Sequence, residues 1–191
     1  MKNSYLESTI KQFEYYKQLG EKAMAQLSDE QLFQMPSIES NTMAVIVQHL
    51  SGNMLSRWTD FLTSDGEKEW RNRDAEFDDV ISTKEELDAA WNKGWTVFLN
   101  TLNSLKEEDL AKIVYIRNQG HTVMEAINRQ LAHYPYHIGQ MVFLAKLLVS
   151  KPWESLSIPK NASGQYNAEK FSQEKSVKHF TDEYLKKKKE D

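Results

Sequence analysis

The chain has 191 residues, of which 40% are hydrophobic and 27% are charged, and this length and composition predict one globular domain with a substantial core. The absence of cysteine excludes disulfides, thiolate metal ligands and cysteine nucleophiles, and it agrees with a reducing cytoplasm. A net charge of −4 with intermixed signs gives no electrostatic reason to expect a nucleic-acid partner.

Residues 1–7 lack the apolar core of a signal peptide, and no apolar run approaches membrane-spanning length. The basic cluster Lys186–Lys189 is followed directly by two acidic residues, which favours a solvated tail. We therefore expect a cytoplasmic protein without a membrane partner.

Helical periodicity dominates the first part of the chain. Ser4 and Glu7 form a capping box that opens the first predicted helix. Asn41 or Thr42 caps the second predicted helix, which stops near Gly66. The apolar positions of these two helices are Leu6, Ile10, Phe13, Met24 and Leu27, then Val45, Ile46, Leu50, Met54, Trp58, Phe61 and Leu62. Their three-to-four-residue spacing is typical of amphipathic helices.

Two further capping boxes mark the third and fourth predicted helices. Thr83 pairs with Glu86, and Thr122 pairs with Glu125. The apolar stripes that follow are Leu87, Ala90, Trp91, Trp95, Phe98, Leu102 and Leu105, then Val123, Ile127, Leu131, Tyr134, Ile138, Met141, Leu144 and Leu148. Gly94 interrupts the third helix at a cost of about 1 kcal/mol relative to alanine. The sequence therefore predicts an all-α fold, a four-helix bundle.

The segments between and after these helices are irregular. Residues 113–116 are predicted to form a short extended piece that ends in a turn at 118–120. Prolines and small polar residues make 151–164 irregular, and a weak terminal helix through Phe171 and Tyr184 follows. We divide the chain into a helical bundle at 1–150 and an extension at 151–191.

The connection between the second and third helices is unusually long. Residues 64–82, fully extended, reach about 60 Å, which is enough to return along the whole bundle and let the two helices lie parallel. Loops of this length inside a domain are usually functional or disordered. Because this one contains Trp70 and Phe77, we expect it to pack against the helices.

Two histidines stand four residues apart in the fourth predicted helix. His133 and His137 project from one helix face, so both imidazole rings can reach a single metal ion. The same spacing also arises by chance, and it does not predict a metal site alone.

A third histidine strengthens the pattern. His49 lies midway along the second predicted helix among apolar residues, so its imidazole should face the core or the rim of the core. A buried imidazole needs a hydrogen-bond partner or a metal ion, and a core histidine bonded to a carbonyl or a glutamine is the alternative. Together with His133 and His137, it predicts a three-histidine metal site.

A proline lies between the two histidines of the fourth helix. Pro135 removes one backbone donor and frees the carbonyl of Leu131, which should kink the helix. The kink either adjusts the ligand angle and opens space at the metal, or it is accommodated by neighbouring residues without a role.

These motifs together resemble the DinB/YfiT-like superfamily of metal-dependent enzymes. The matching stretches are Val45–Leu50, which contains His49, and 133–140, which reads His-Tyr-Pro-Tyr-His-Ile-Gly-Gln. The segment 122–131 is similar to the family's approach to the second motif. The resemblance covers roughly residues 1–150. The charged loop 65–74 and the Ser-Ile-Pro of the extension further resemble a subfamily labelled only as a domain of unknown function.

The resemblance implies a specific architecture and cofactor. It implies a bundle in up-down-down-up order with long crossover loops, a zinc or nickel ion on His49, His133 and His137, and remaining coordination positions for water or substrate. Characterised members include S-transferases that use low-molecular-weight thiols such as bacillithiol or mycothiol, and homodimers are common among them.

One position departs from the family pattern. Many members carry arginine directly after the last histidine, whereas this chain has Ile138. Arg57 or Arg129 could supply a positive charge for an anionic thiol in its place, and a surface role is the alternative for each. The candidate residues for substrate contacts or for orienting the imidazoles are Asn53, Arg57, Arg129, Gln130 and Gln140, with Gln48 and Glu125 as further possibilities for the latter role.

Two functions follow from this interpretation. The first is a metal-dependent enzyme, a thiol S-transferase or a hydrolase of a small molecule, in which the metal activates water or holds a thiolate. No separate general base is apparent, since the acidic residues mostly occupy helix caps and solvent-facing positions. The alternative is a non-catalytic dimeric bundle, stress-related and binding a ligand or partner, with a structural or vestigial histidine site.

Overall fold

A computed structural model of the chain describes residues 4–78 and 81–185, and it is mostly helical. The predicted basic cluster at 186–189 lies outside the described residues. The α-helices are α1 (Tyr5–Met24), α2 (Asp29–Leu32), α3 (Met43–Trp58), α4 (Lys84–Ser104), α5 (Val123–Leu148) and α6 (Ser163–Phe171), and the strands are β1 (Ile113–Ile116) and β2 (Gln119–Thr122).

Side-chain caps begin the long helices where the sequence predicted them. Thr42 accepts the backbone N–H of Val45 at the start of α3, and reciprocal capping boxes open α4 at Thr83 and α5 at Thr122. Each box satisfies two backbone donors that the first helical turn leaves unpaired. Ser4 caps α1 by accepting the backbone N–H of Glu7. These predicted helix starts are confirmed.

The predicted end of the second helix is wrong. Helix α3 ends at Trp58, well before Gly66, because Asp60 adopts a left-handed conformation with φ of 50°. The backbone N–H groups of Thr63 and Ser64 then both donate to the carbonyl of Asp60 at 3.0 Å. Hydroxyl side chains that bond to nearby backbone favour turns over helix continuation, so the apolar stripe at 61–62 does not extend the helix.

Two shorter segments also differ from the prediction. No helix was predicted between the first two long helices, but the one-turn helix α2 lies there behind a capping box of Ser28 and Gln31. The extension does not form one helix through Phe171 and Tyr184, since α6 ends at Phe171 and only a 3-10 turn follows at Phe180–Glu183. Phe171 is 85% exposed, so little apolar burial is available to hold a longer helix.

The long connection brings α3 and α4 together in parallel. The Ser51 hydroxyl donates to the carbonyl of Ala90 at 2.8 Å. About two turns further along α3 and three turns further along α4, the Thr101 hydroxyl donates to the carbonyl of Trp58 at 2.9 Å. Residue numbers therefore increase in the same direction on both helices. This parallel arrangement is the one that the length of the crossover permitted.

The other long helices complete the packing. Helices α1 and α5 are also parallel, since Tyr5 donates to Asn128 at 2.6 Å and the segment after α1 reaches the end of α5 through a bond from Gln31 to Leu148. Helices α3 and α5 are antiparallel. Asn53 accepts a bond from Tyr134, and His49, which comes earlier on α3, contacts His137, which comes later on α5.

Aromatic side chains fill the centre between the four long helices. Phe13, Trp58, Trp95, Phe98 and Tyr134 are almost fully buried and meet mostly edge to face or tilted, which is the preferred geometry of aromatic pairs. The Tyr134 hydroxyl accepts a bond from the Trp58 indole N–H at 3.0 Å. Because Tyr134 points into this core, its neighbour His133 is placed at the flank of α5.

Gly94 has a packing role that the sequence did not reveal. A Cβ atom at this position would lie 2.9 Å from Cα of Ser51 and 3.3 Å from Sδ of Met54. The absence of a side chain therefore lets α4 approach the backbone of α3.

Replacing Gly94 with alanine is expected to destabilise the protein by about 1–3 kcal/mol, because the overpacking exceeds the gain of about 1 kcal/mol in helix propensity. Urea unfolding followed by circular dichroism measures the change. The control is Gly139→Ala on α5, where a Cβ meets nothing within 4 Å, so no loss of stability is expected. Equal stability of the two variants would contradict the packing role.

A hairpin between α4 and α5 holds the start of the long loop. Strands β1 and β2 are antiparallel, and Arg117 and Asn118 form the turn with φ values of 55° and 60°, one residue earlier than predicted. The Asp65 carboxylate accepts both of their backbone N–H groups at 2.8 Å. Gly66 donates to the carbonyl of Tyr115 at 2.8 Å. The loop thus fixes a turn whose conformation non-glycine residues adopt only uncommonly.

The rest of the long loop packs against α3 through polar groups. Trp70, expected to anchor the loop, is 61% exposed. Instead, the Gln48 amide donates to the carbonyls of Ala75 and Asp78, and Glu76 is buried against the helix. Polar and charged side chains therefore hold the loop against α3, whereas the sequence predicted that aromatic side chains would do so. None of the helices in the described ranges is both long and apolar enough to cross a membrane.

Candidate metal centre

Helices α3 and α5 bring the three predicted histidines into one cluster. Nε2 of His133 lies 3.1 Å from Nε2 of His137 and 3.4 Å from Nε2 of His49. The potential ligand atoms of the three side chains all lie within 4.8 Å of one another. His49 is buried, and the two histidines of α5 are half-buried. The three residues form a cluster that could hold a metal ion.

The opposite nitrogen of each ring is held by an oxygen acceptor. Nδ1 of His49 donates to the carboxylate of Glu76 at 2.9 Å. Nδ1 of His133 donates to Oε1 of Gln130 at 3.1 Å, and Nδ1 of His137 donates to Oε1 of Gln140 at 2.7 Å. An imidazole that donates through Nδ1 in its neutral form carries its lone pair on Nε2. In this form the three Nε2 atoms are free to act as metal ligands.

This arrangement fits a divalent ion. Burial, together with the neighbouring His137 and His49, lowers the pKa of His133 to about 3, and burial also lowers the pKa of His137. Neutral nitrogens facing one another repel unless a cation lies between them. Two Zn–N bonds of about 2.05 Å at a tetrahedral angle separate the nitrogens by roughly 3.3 Å, close to the separations of 3.1 and 3.4 Å between the Nε2 atoms. The donor set therefore suits zinc or a similar metal.

Glu76, which the sequence did not single out, supports the cluster from behind. Its carboxylate accepts the Nδ1–H of His49 and two bonds from the Arg71 guanidinium, at 2.7 and 2.9 Å. Burial opposes ionisation of Glu76, but the bonds from His49 and Arg71 outweigh burial and lower its pKa. Imidazoles that bind metals are commonly oriented by such carboxylates. Glu76 is an exception to the expectation that the acidic residues mostly occupy helix caps and solvent-facing positions.

A glycine on α3 makes room for this carboxylate. A Cβ atom at Gly52 would lie 2.3 Å from Oε1 and 2.7 Å from Cδ of Glu76. Glu76 therefore sits directly against the helix backbone, one turn after His49. Neither residue carries a sequence signal for this contact, because Glu76 lies in a loop without periodicity and is separated from His49 by 27 positions.

The histidines open into a cavity of about 490 Å³. Helix α3, the long loop, the tip of the hairpin and α5 all contribute to its walls. The lining residues are His49, Asn53, Arg57, Arg71, Arg73, Phe77, Arg117, Arg129, Gln130, His133, Tyr136 and His137. Its volume is typical of a small-molecule site, and it gives a ligand direct access to the three imidazoles.

The residues predicted to orient the imidazoles or contact substrate have separate positions. Gln130 and Gln140 bond to the histidines as described above, and Asn53, Arg57 and Arg129 line the cavity. The two further possibilities lie elsewhere: Gln48 binds the long loop and Glu125 caps α5.

An aromatic ring from the long loop covers one side of His49. Phe77 stacks on the imidazole with a centroid separation of 5.0 Å and an interplanar angle of 29°. The Arg73 guanidinium also lies over the Phe77 ring, 5.3 Å from its centroid. The sequence predicted that Phe77 would pack, but not that it would contact a histidine. Of the remaining histidines, His179 bonds to Ser8 in the terminal segment, away from the cluster.

Comparison with known proteins gives a family and no described activity. No curated protein and no solved structure matches the chain significantly. A family model described as "Protein of unknown function (DUF1572)" matches residues 1–162, a range that holds all three histidines, Glu76 and the five arginines. With a match over most of its length, the chain belongs to the DUF1572 family of proteins of unknown function.

Proposed function

We propose that the chain is a metal-dependent enzyme in which His49, His133 and His137 hold a divalent ion, zinc or nickel, beside a substrate cavity. The observation that carries the proposal is the convergence of three Nε2 atoms while each Nδ1 is held by Glu76 or a glutamine oxygen. A core histidine needs one hydrogen-bond partner. Three imidazoles oriented toward one another at the end of a cavity are arranged as ligands.

The fold supports a likeness to the DinB/YfiT superfamily. Helices α3 and α4 are parallel, α1 and α5 are parallel, and α3 runs against α5. These directions agree with the up-down-down-up order that the resemblance implies. The positions of the histidines, one on α3 and two separated by one turn of α5, agree with it as well.

The surroundings of the histidines define what this chain contributes to a reaction. Glu76, Gln130 and Gln140 keep the imidazoles in the tautomer that presents Nε2. Bound there, the metal would supply a Lewis acid that activates water or a thiol. No carboxylate lines the cavity among the residues described, so the chain offers a substrate arginines, amides and the Tyr136 hydroxyl. We assign the reaction to hydrolysis or thiol transfer on a small molecule.

Metal content provides the test. Protein purified without a histidine tag is expected to carry, or to take up, about one zinc or nickel ion per chain by elemental analysis. The double variant His133→Ala/His137→Ala is expected to lose this ion, because one imidazole cannot replace three. His179→Ala is the matched control, since His179 lies outside the cluster and should not change metal content. A wild type that neither carries nor binds zinc or nickel would overturn the proposal.

The second candidate function is a non-catalytic dimeric module that binds a partner. It is favoured by Phe143 and Leu147 on α5, which are 72% and 61% exposed and lie one turn apart on the same helix face. Exposed apolar patches often mark protein contacts. A protein that forms a dimer but does not bind zinc or nickel would favour this candidate over the enzyme.

A further inference from the structure

The arginines of this chain have an unusual distribution. The chain contains 24 lysine and arginine residues, of which only five are arginine. All five, Arg57, Arg71, Arg73, Arg117 and Arg129, line the cavity above the histidines, and no lysine in the described part of the chain does. They come from α3, the long loop, the hairpin turn and α5. Four separate segments therefore place the same side-chain type in one cavity.

Two acidic residues neutralise only part of this charge. Arg71 pairs with Glu76, and Glu67 lies within 3.4 Å of the guanidinium groups of Arg57, Arg71 and Arg117. Five positive charges thus face two carboxylates. The cavity retains an excess of about three positive charges.

Of the five arginines, Arg73 and Arg129 have no carboxylate partner within residues 4–78 and 81–185. Both are exposed to the cavity and solvent. Arg129 lies one helical turn before His133, and Arg73 contacts the Phe77 ring that stacks on His49. The two charges therefore flank the histidine cluster from α5 and from the loop.

A third arginine is buried and incompletely bonded. Arg57 is 6% exposed, and although its Nη1 donates to Gly66 and Glu67, its Nε has no hydrogen-bond partner. A buried donor without a partner costs about 1–3 kcal/mol. Because Arg57 lines the cavity, its guanidinium adds a third positive charge beside those of Arg73 and Arg129.

The preference for arginine over lysine identifies the ligand chemistry. A guanidinium group presents its N–H donors in a planar fork that matches the two oxygens of a carboxylate or phosphate, whereas an ammonium is a point charge. We propose that the cavity binds a small multivalent anion, carrying carboxylate or phosphate groups, with Arg73 and Arg129 as its main contacts. That this anion is a substrate rests on the proposed function. Binding of the anion does not itself require the metal.

The proposal excludes other ligand classes. A cationic or neutral molecule would leave the excess charge uncompensated in a cavity partly removed from water, where charge interactions are stronger than in bulk solvent. A cavity of about 490 Å³ is too small for a nucleic-acid strand, and the net charge of −4 opposes binding such a strand outside the cavity.

Isothermal titration calorimetry with two probes tests the proposal. Inorganic phosphate and tricarballylate, which carries three carboxylates, are titrated into metal-free and zinc-loaded protein, with glycerol as the uncharged control. Both forms of the protein are expected to bind at least one anion and not glycerol, and the stronger probe identifies the preferred oxyanion. Binding should weaken as sodium chloride is raised, since salt screens the exposed charges.

Three variants locate the bound anion. Arg73→Gln and Arg129→Gln should each weaken binding by about tenfold or more, the usual effect of losing a charge-assisted hydrogen bond. Arg129→Lys should recover only part of the affinity, because it keeps the charge and loses the fork. Lys146→Gln, an equal change of charge on an exposed residue of the same helix, should have no effect.

The outcomes separate this proposal from the proposed function. Absence of binding by both probes, or equal binding by wild type and both glutamine variants, would overturn the anion site even if zinc binds. Anion binding that depends on Arg73 and Arg129 in a protein that fails to bind zinc would support the anion site and overturn the metalloenzyme.

Discussion

Replacing Glu76 with alanine is expected to destabilise the protein by about 3–5 kcal/mol, the usual cost of removing one partner of a buried ion pair. The side chain of Arg71 is only 2% exposed, so it would keep its positive charge without the carboxylate that now accepts two of its N–H groups. His49 would also lose its only acceptor at Nδ1. Because these groups are buried, loss of one carboxylate deprives both a residue of the long loop and a residue of α3 of a hydrogen-bond partner.

Urea unfolding of the metal-free protein measures this effect. The matched control is Asp88→Ala, which removes the acidic partner of Lys84 in an exposed pair on α4. Exposed pairs of this type contribute about 0.3–0.5 kcal/mol, so the control should remain close to wild type. If Glu76→Ala is no less stable than Asp88→Ala, then the carboxylate does not hold the loop.

A second measurement on the same variants addresses the histidine cluster. Loss of an oriented carboxylate behind a metal ligand typically weakens metal affinity by about 10–100-fold, so zinc titration should show this for Glu76→Ala and not for Asp88→Ala. The double variant Arg71→Met/Glu76→Leu should regain part of the stability, since neither charge remains buried. It should not regain zinc affinity, because a leucine cannot accept the His49 N–H.

Replacing Gly52 with alanine is expected to weaken zinc binding by about tenfold or more without altering a histidine, an arginine or Glu76 itself. The new Cβ would lie 2.3 Å from Oε1 of Glu76, and the carboxylate cannot move away without breaking its bonds to Arg71 or His49. The effect on His49 is then of the kind that follows loss of an orienting group. At an unhindered helix position the same change would stabilise by up to about 1 kcal/mol.

Gly139→Ala is the control for this variant. Gly139 lies on α5 between His137 and Gln140, and a Cβ there meets nothing within 4 Å. It therefore also lies within one helical turn of a histidine of the cluster, but an added Cβ there meets no neighbouring atom. Competition titrations with a chromophoric zinc chelator compare the two proteins. Equal zinc affinities would show that the Glu76 carboxylate can shift without consequence for His49, contrary to the close contact in the structure.

The sequence predicted the helices well because their starts and faces are local properties. The hydroxyl caps at Thr42, Thr83 and Thr122 lie within three residues of the groups that they bind. The spacing of His133 and His137 on one helix likewise guarantees a shared face. These features depend on neighbours along the chain, so a single sequence suffices to identify them.

The end of α3 and the surroundings of the histidines depend on contacts that no local pattern encodes. The helix stops at Trp58 because Asp60 takes a left-handed conformation, even though apolar residues continue to Leu62. Glu76 reaches His49 through a loop without periodicity. Hydrophobic patterning finds buried apolar faces, and it cannot find a buried carboxylate whose partners are polar.

The arginines illustrate the same limit. Arg57 and Arg129 were identified from their distance to the histidines along a helix, and both line the cavity. Arg71, Arg73 and Arg117 lie in a loop and a hairpin turn, where sequence position gives no direction. The composition contained a usable signal, because the chain has only five arginines among its 24 basic residues. Such a small group of one residue type could have been examined for a common functional position.

The division of the three histidines between α3 and α5 determines how the cluster would come apart. His49 and His133 are separated by 84 positions, so only the packing of one helix against the other brings them together. If α3 moves away from α5, the pair on α5 remains, and both helices can stay fully wound while the third nitrogen is lost. Release of a bound ion would thus indicate that two intact helices have separated. This local opening requires less free energy than unfolding the whole domain.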